Sequence, residues 1–289
     1  MKTLTPRYGS VAYLCRLLNL SPSSYYYAGD QTEAHRADGA LGQALQQLAG
    51  QYPTYGYRRL TQLLRRRKRF QSVNSKRVRR LMKSLDLQAK RPRRTWRTTH
   101  SAHGFRRYPN LVRPLVAIDH PNHVWVCDIT YIVLATGEVV FLAIVMDVFT
   151  RTIHGWALGR DLTHALTVTA LYRALKQGMC EIHHSDQGVQ YATPQYTQLL
   201  EARHIQISMS DTGQPWQNGY AERFMRTLKE EEVYLSAYET YAAALKQIGQ
   251  FITAVYNRKR IHSALGDLSP AEFEAQWQAE HSTEDPPLI

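Results

Sequence analysis

Cysteine is scarce in this chain: three in 289 residues, Cys15, Cys127 and Cys180, with no Cys-x-x-Cys spacing. Such scattered thiols suggest neither a disulfide framework nor a zinc knuckle. His100 and His103 have no nearby cysteine to complete a zinc site. Long apolar runs are also missing. The longest, Val139 to Met146, falls well short of the roughly 20 residues that a membrane-spanning helix needs. No secretory apolar segment follows the N-terminal Met-Lys-Thr-Leu, so a soluble, intracellular protein is expected. Acidic residues are scarce in one half only. Residues 1–114 hold 24 Lys and Arg against 4 Asp and Glu, net +20, whereas residues 115–289 hold 12 against 20, net −8. A block with that excess of cations attracts a polyanion through counterion release, and nucleic acid is the polyanion expected. The plainer alternative is a solvated basic surface.

In the basic half, Tyr57 to Phe70 places Leu60, Leu63 and Leu64 at helical spacing, and Ser75 to Leu85 repeats the pattern with Val78, Leu81, Met82 and Leu85. Gln71-Ser-Val-Asn74 supplies a short connection with capping residues. The pair fits a helix-turn-helix whose second helix presents Lys76, Arg77, Arg79, Arg80 and Lys83 to phosphates and a major groove. Arg58 and Arg59 on the first helix join them as candidate DNA contacts. The same pattern also fits a helical hairpin whose charges only keep it soluble. Upstream, Val11, Leu14, Leu18 and Leu20, then Ser21 as N-cap and Pro22 at the first helical position, suggest a smaller helical pair. Lys90 to Arg113, rich in Pro, Arg and Thr, reads as a basic linker.

After Pro121 the pattern turns extended. His123 to Leu134 and Val139 to Val148, rich in β-branched and aromatic residues, flank an Ala-Thr-Gly-Glu turn and read as a hairpin of core strands. A strand at Ile153 to Leu158 precedes an amphipathic helix over His164 to Gln177. Then come a strand at Glu181 to His184, a helix beginning near Pro194, a strand at Ile205 to Met209 and a helix carrying Glu222. The order β-β-β-α-β-α-β-α is an α/β arrangement, a mixed five-stranded sheet flanked by helices and preceded by a basic all-helical region. Tyr238 to Tyr256 follows as a helix with Tyr241, Leu245, Ile248, Ile252 and Val255 on one stripe. Arg258, Lys259, Arg260 and His262 form a basic patch, and Ser269-Pro-Ala-Glu272 is a capping box opening a last short helix. Residues after His281 read as a loose end. The expected division is a DNA-binding region over 1–90, a linker over 91–114, a core over 115–235 and a helical extension over 236–289.

Three carboxylates stand out. Asp128 sits in the middle of the most apolar strand, where an ionised group must be paired, hydrogen-bonded or bound to a cation. Asp186 follows the fourth strand in Ser-Asp-Gln-Gly, where an ordinary turn aspartate is the plainer reading. Glu222 lies in the first turn of its helix, where the macrodipole alone favours an acid. Together they form a set of hard oxygen ligands of the kind that holds two divalent ions about 4 Å apart in phosphodiester chemistry. Asp147 and Asp211 also stand at strand ends. Asp147 is expected to order the turn after it, and Asp211 the loop leading to the Glu222 helix. His183 and His184 precede Asp186, but imidazole matches magnesium poorly, so neither is assigned as a ligand.

The spacing is specific. Thirty-five residues separate Asp186 from Glu222, and Lys229 follows seven positions later, which resembles the D-D-35-E signature of transposases and retroviral-type integrases. The stretches WVCDITYI, HHSDQGVQYAT, SDTGQPWQNGYAERFMRTLKEE and YNRKRIHSALGDLSPAEF resemble bacterial insertion-sequence transposases of the OrfB type, in the "insertion sequence three" family, and the likeness covers nearly the whole chain. The resemblance implies a ribonuclease-H-like core. It makes Asp128, Asp186 and Glu222 the catalytic residues and the ligands of Mg2+, with Mn2+ able to substitute, and Lys229 a DNA contact beside them. Arg226 on the same helix, with Arg258, Lys259 and Arg260, completes the candidate DNA contacts.

The activity so implied is cleavage at the ends of an element, then attack of the freed 3′-hydroxyl on another strand, by way of a circular intermediate. The expected partners are double-stranded DNA (terminal inverted repeats and target), further copies of the chain in a homo-oligomer, and an upstream-frame protein of the OrfA type or a fusion with it. The expected location is the bacterial nucleoid. Two other readings stay open: a non-catalytic DNA-binding regulator of transposition, and a metal-dependent nuclease that stops at hydrolysis.

Overall fold

The computed structural model of the chain describes residues 11–17, 19, 21, 31–87, 89, 105–211 and 213–281. The chain divides into two compact units, Met1–Lys90 and Arg91–Ile289. The expected second helix after Ser21, most of the basic linker and the C-terminal end fall outside the described residues.

The first unit contains α1 (Val11–Leu17), α2 (Gln31–Gln51), α3 (Tyr57–Arg65) and α4 (Ser75–Ser84). Of these, α2 is not among the elements expected from sequence. Its buried Leu41, Ala44, Leu45 and Leu48 stand at helical spacing, diluted among glutamines and alanines. They share the interior of this unit with Leu60 and Leu64 of α3 and Val78 and Met82 of α4. α3 ends earlier than expected, because Arg67 is extended and Lys68–Phe70 form a separate 3-10 turn. The N-cap of α4 is Asn74, whose side chain accepts from the Lys76 backbone N–H at 2.8 Å.

Among the described residues, the second unit contains β1 (Val124–Val133), β2 (Val139–Asp147), β3 (Ile153–Gly159), α5 (His164–Leu175), β4 (Ile182–Ser185), α6 (Val189–Ala192), α7 (Pro194–Glu201) and β5 (Gln206–Met209). It continues with α8 (Gly219–Glu231), α9 (Tyr241–Gln250), a π-helical stretch over Phe251–Tyr256 and α10 (Pro270–His281). The sheet order is β3-β2-β1-β4-β5, with β1–β2 and β2–β3 antiparallel and β1–β4 and β4–β5 parallel.

Alternation along the strands builds two cores. Val124, Val126 and Ile132 of β1, with Val140, Leu142, Ile144 and Met146 of β2, pack against Ala221, Phe224, Met225 and Leu228 of α8 and against α9 and the π stretch. Trp125, Cys127, Ala143 and Val145 face the other way, onto α5 and α7. The result is a helix–sheet–helix sandwich of ribonuclease-H-like form. Among the described residues, no helix is long and apolar enough to cross a membrane.

The helix after Tyr238 departs from expectation. It starts at Tyr241, capped by Thr240, and buries Ala244 and Ile248 while Leu245 lies at the surface. The π stretch then turns Phe251, Ile252 and Tyr256 inward. Arg260, expected in an exposed basic patch, is instead 3% exposed and bonds both oxygens of Glu231 at 2.9 Å. It closes the C-terminal end of α8 and is corrected here from a DNA contact to a buried structural cation. The capping box does form: the Ser269 backbone N–H and hydroxyl donate to Glu272 at 2.8 and 2.9 Å, and the Glu272 N–H donates back to Ser269 Oγ at 3.4 Å.

Two glycines allow the layers to meet. A Cβ on Gly155 of β3 would collide with the Ala170 carbonyl and lie 2.7 Å from the Ala174 amide, so α5 rests directly on the strand. A Cβ on Gly249 would stand 2.8 Å from the Trp156 ring. Gly155→Ala should therefore lose about 1–3 kcal/mol through overpacking, measured as a lower melting temperature in thermal unfolding. Gly50→Ala, where a Cβ meets nothing within 4 Å, should leave stability unchanged or raise it.

Candidate active site

Parallel pairing brings the two aspartates to one end of the sheet. Val126 of β1 pairs with His184 of β4, and two residues beyond each partner stand Asp128 and Asp186. Clefts at the carboxyl ends of parallel strands are the usual place for a site in such sheets. By strand alternation Asp128 follows Val124 and Val126 onto the sheet face covered by α8, the helix that carries Glu222.

The Asp128 carboxylate is half-buried and accepts the Ile129 N–H at 2.8 Å. Burial pushes its pKa up to about 8, and the charges of Asp186 and then Glu222 act in the same direction, while the Ile129 N–H and Lys229 pull the other way. Three carboxylates and one ammonium thus share an electrostatic neighbourhood. Asp186, also half-buried, accepts the Gly188 N–H at 2.9 Å. The turn needs glycine, since a Cβ at 188 would lie 2.9 Å from the same Asp186 oxygen. Glu222 is exposed in the first turn of α8. Lys229, two turns later, is half-buried with its Nζ 4.6 Å from the centre of the Tyr131 ring. Burial holds its ammonium below its ordinary pKa, against the attraction of Asp128.

Asn218, just before α8, ties these parts together. It is buried, and its Nδ2 donates to the Cys127 carbonyl at 2.9 Å, fixing the start of the Glu222 helix one residue from Asp128. Gln217 beside it accepts from Asn110 at 2.8 Å and donates to Asp211 at 2.8 Å. Sequence reasoning missed both residues. The only signal was their place immediately before the helix.

The competing residues have other work. Asp147 is fully buried and accepts from the Phe149 and Thr150 amides and the Thr150 hydroxyl, closing the turn after β2. Asp211 braces the loop before α8 through Gln217 and, at 3.6 Å, Arg113. His183 bonds the Tyr196 hydroxyl at 3.0 Å, and His184 bonds Ser208 and Ser210 at 2.8 and 3.1 Å. Burial lowers these histidines to about 3 and 4, so both are neutral packing groups.

Of the candidate DNA contacts, Arg58, Lys76, Arg79, Arg80, Lys83, Arg226, Arg258 and Lys259 are exposed. Arg59 is half-buried against the Tyr55 ring. Arg77 and Arg80 both pair with Asp38, at 2.7 and 2.9 Å.

With this geometry in view, the likeness to known proteins is consistent along the chain. An integrase core domain model matches residues 118–215, which hold Asp128 and Asp186. A second integrase core domain model matches residues 203–270, which hold Glu222 and Lys229, and an HTH-like domain model matches residues 36–95. The insertion element IS600 uncharacterized 31 kDa protein of Shigella sonnei is 37% identical over 78% of this chain and 82% of its own length. The transposase for insertion sequence element IS904 of Lactococcus lactis is 35% identical over 70% of this chain and 81% of its own. Transposase InsF for insertion sequence IS3A of Escherichia coli is 29% identical over 92% of this chain and 94% of its own. With an HTH-like region, an integrase core and likeness over most of their lengths to such relatives, this chain belongs to the IS3 family of insertion-sequence transposases.

Proposed function

We propose that the chain is a Mg2+-dependent DNA transposase that cuts at the ends of an insertion sequence and transfers the freed 3′-hydroxyl to another strand. The observation that carries this reading is the parallel β1–β4 pairing, in which Asp128 and Asp186 each stand two residues beyond the Val126–His184 pair, with the helix that carries Glu222 packed on the same sheet face; burial and the neighbouring carboxylates push the Asp128 pKa up. An all-carboxylate set with excess negative charge fits a hard divalent cation. When bound, such cations polarise the phosphodiester and stabilise the attacking and leaving oxygens, with Mn2+ able to replace Mg2+.

In this reading Asp128 is the rigid member, held by the central strand, and Asp186 is held by its turn. Glu222, at the solvent side, closes the set. Arg226 and Lys229, four and seven residues after Glu222, share its helical face and lie against DNA phosphates. Exposed cations of the first unit, Arg58, Lys76, Arg79 and Lys83 foremost, bind the duplex, so residues 1–90 hold DNA while 115–235 carry the chemistry and 236–289 buttress the core. Two element ends must be held at once, so the working species is a homo-oligomer, aided by an upstream-frame partner or fused to it.

The test is a strand-transfer assay on labelled duplex carrying the element ends, in Mg2+, with DNA binding followed in parallel. Asp128→Asn and Glu222→Gln should each abolish joined products while leaving binding within about twofold. Nicks without joining in the wild type would favour a nuclease, and binding without chemistry a regulator.

The pKa of Asp128 gives a second test. The folded chain holds this proton more tightly than the unfolded chain, whose ordinary value is 3.8, so metal-free stability falls as pH rises from about 4 to about 8. Asp128→Asn removes that slope. In EDTA its melting temperature should exceed that of the wild type at pH 8, with the gap closing toward pH 4, and Mg2+ at pH 8 should raise the wild type more. A gap that ignores pH would show that Asp128 does not carry the shifted proton.

For the DNA-binding surface, Lys76→Ala with Arg79→Ala should weaken binding to all duplex sequences alike. It should also lower the slope of log affinity against log salt by about one for each phosphate that is no longer neutralised. An unchanged slope would remove both residues from the DNA-binding surface.

A further inference from the structure

A different cluster occupies the opposite pole of the sheet. Asp119, His120 and His123 each offer a donor atom, all within 4.8 Å of one another, the one such trio of His, Cys, Asp or Glu groups among the described residues. His120 Nδ1 lies 2.8 Å from Asp119 Oδ1, and His123 Nδ1 lies 3.5 Å from the same oxygen. That His123 nitrogen is buried and has no hydrogen-bond partner. The far nitrogen of His120, Nε2, is 2.8 Å from Glu181 Oε1. The two imidazoles stack at 4.6 Å with an interplanar angle of 11°.

The backbone holds this arrangement in place. Asn122 takes a left-handed φ of 64°, and its side chain accepts from Trp125 Nε1 at 3.0 Å. The carbonyls of Asn122 and His123 accept the amides of Glu181 and Ile182, each at 3.0 Å. The loop before β1 and the residue before β4 are therefore joined by the first rungs of the β1–β4 ladder, and Glu181 is kept beside His120.

We infer that Asp119, His120 and His123 form a second cation site, separate from the carboxylate triad, that takes a transition metal of the zinc class. Two imidazole nitrogens and one carboxylate suit zinc rather than magnesium, and three protein ligands leave a fourth position for water or another ligand. Glu181 is placed to fix the His120 tautomer by accepting from Nε2, which turns the Nδ1 lone pair toward Asp119 and His123, the carboxylate–histidine–metal arrangement common at zinc. His123 and Asp128 are five residues apart on an extended strand, roughly 16 Å at about 3.3 Å per residue. A metal held at this trio is therefore not one of the catalytic ions. It would pin the segment entering the core to the sheet.

The experiment uses the full chain carrying Asp128→Asn, Asp186→Asn and Glu222→Gln, so that the triad does not compete for the probe. Zinc is titrated in competition with a chromophoric chelator, and melting is followed with and without zinc. One equivalent should bind and raise the melting temperature. His120→Gln and His123→Ala should each remove that equivalent, and Glu181→Gln should weaken it about 10- to 100-fold. Melting in EDTA and far-ultraviolet circular dichroism matching the parent chain identify a folded variant, and His120, the more exposed histidine, supplies the decisive one. Absence of a stoichiometric zinc ion, or equal binding in the folded His120→Gln variant, would overturn the inference and leave His120 as an ion-paired imidazole between Asp119 and Glu181.

Discussion

Asp128 places a carboxylate in the middle of a strand whose neighbours are almost all apolar, and the architecture of the core is arranged around the cost of that one group. Burial alone would favour its neutral form, and two further carboxylates held nearby add to the penalty. Lys229 offsets part of it from α8. Three carboxylates crowded in this way cost stability, as groups at functional sites commonly do.

Placing the three groups together depends on long-range connections. The parallel β1–β4 pair brings Asp128, in mid-strand, beside the end of β4 that Asp186 follows, and α8 delivers Glu222 from above the sheet. That helix is held at both ends: Asn218 bonds the Cys127 carbonyl at its start, and Arg260 bonds Glu231 in its last turn. Between these clamps Ala221, Phe224, Met225 and Leu228 are buried against the sheet. The C-terminal segment thus belongs to the core. Removing Arg260 would take its bidentate partner from the half-buried charge of Glu231.

Much of the fold was legible because its signals are local. Every strand was readable to within one or two residues from β-branched and aromatic runs, and the Ser269–Glu272 box and the Asp147 turn from short-range hydrogen-bonding chemistry. α2 escaped because glutamine and alanine dilute its stripe, and the π stretch because a register change inside a helix leaves no periodic mark. Arg260 read as a surface cation, since its neighbours Arg258 and Lys259 are exposed and nothing nearby announces a partner 29 residues upstream.

The sequence by itself determined the order of the elements, the division into a basic and an acidic half, and the identity and spacing of the three carboxylates, because side-chain period and residue chemistry are properties of the chain. Only the tertiary structure decided that these three acids act on one another's charge. It drew Asn218 and Arg260 into the support of α8, and set Asp119, His120 and His123 beside Glu181. Such juxtapositions follow from strand pairing and helix packing between residues tens of positions apart, and an approach of that range leaves no trace in local pattern.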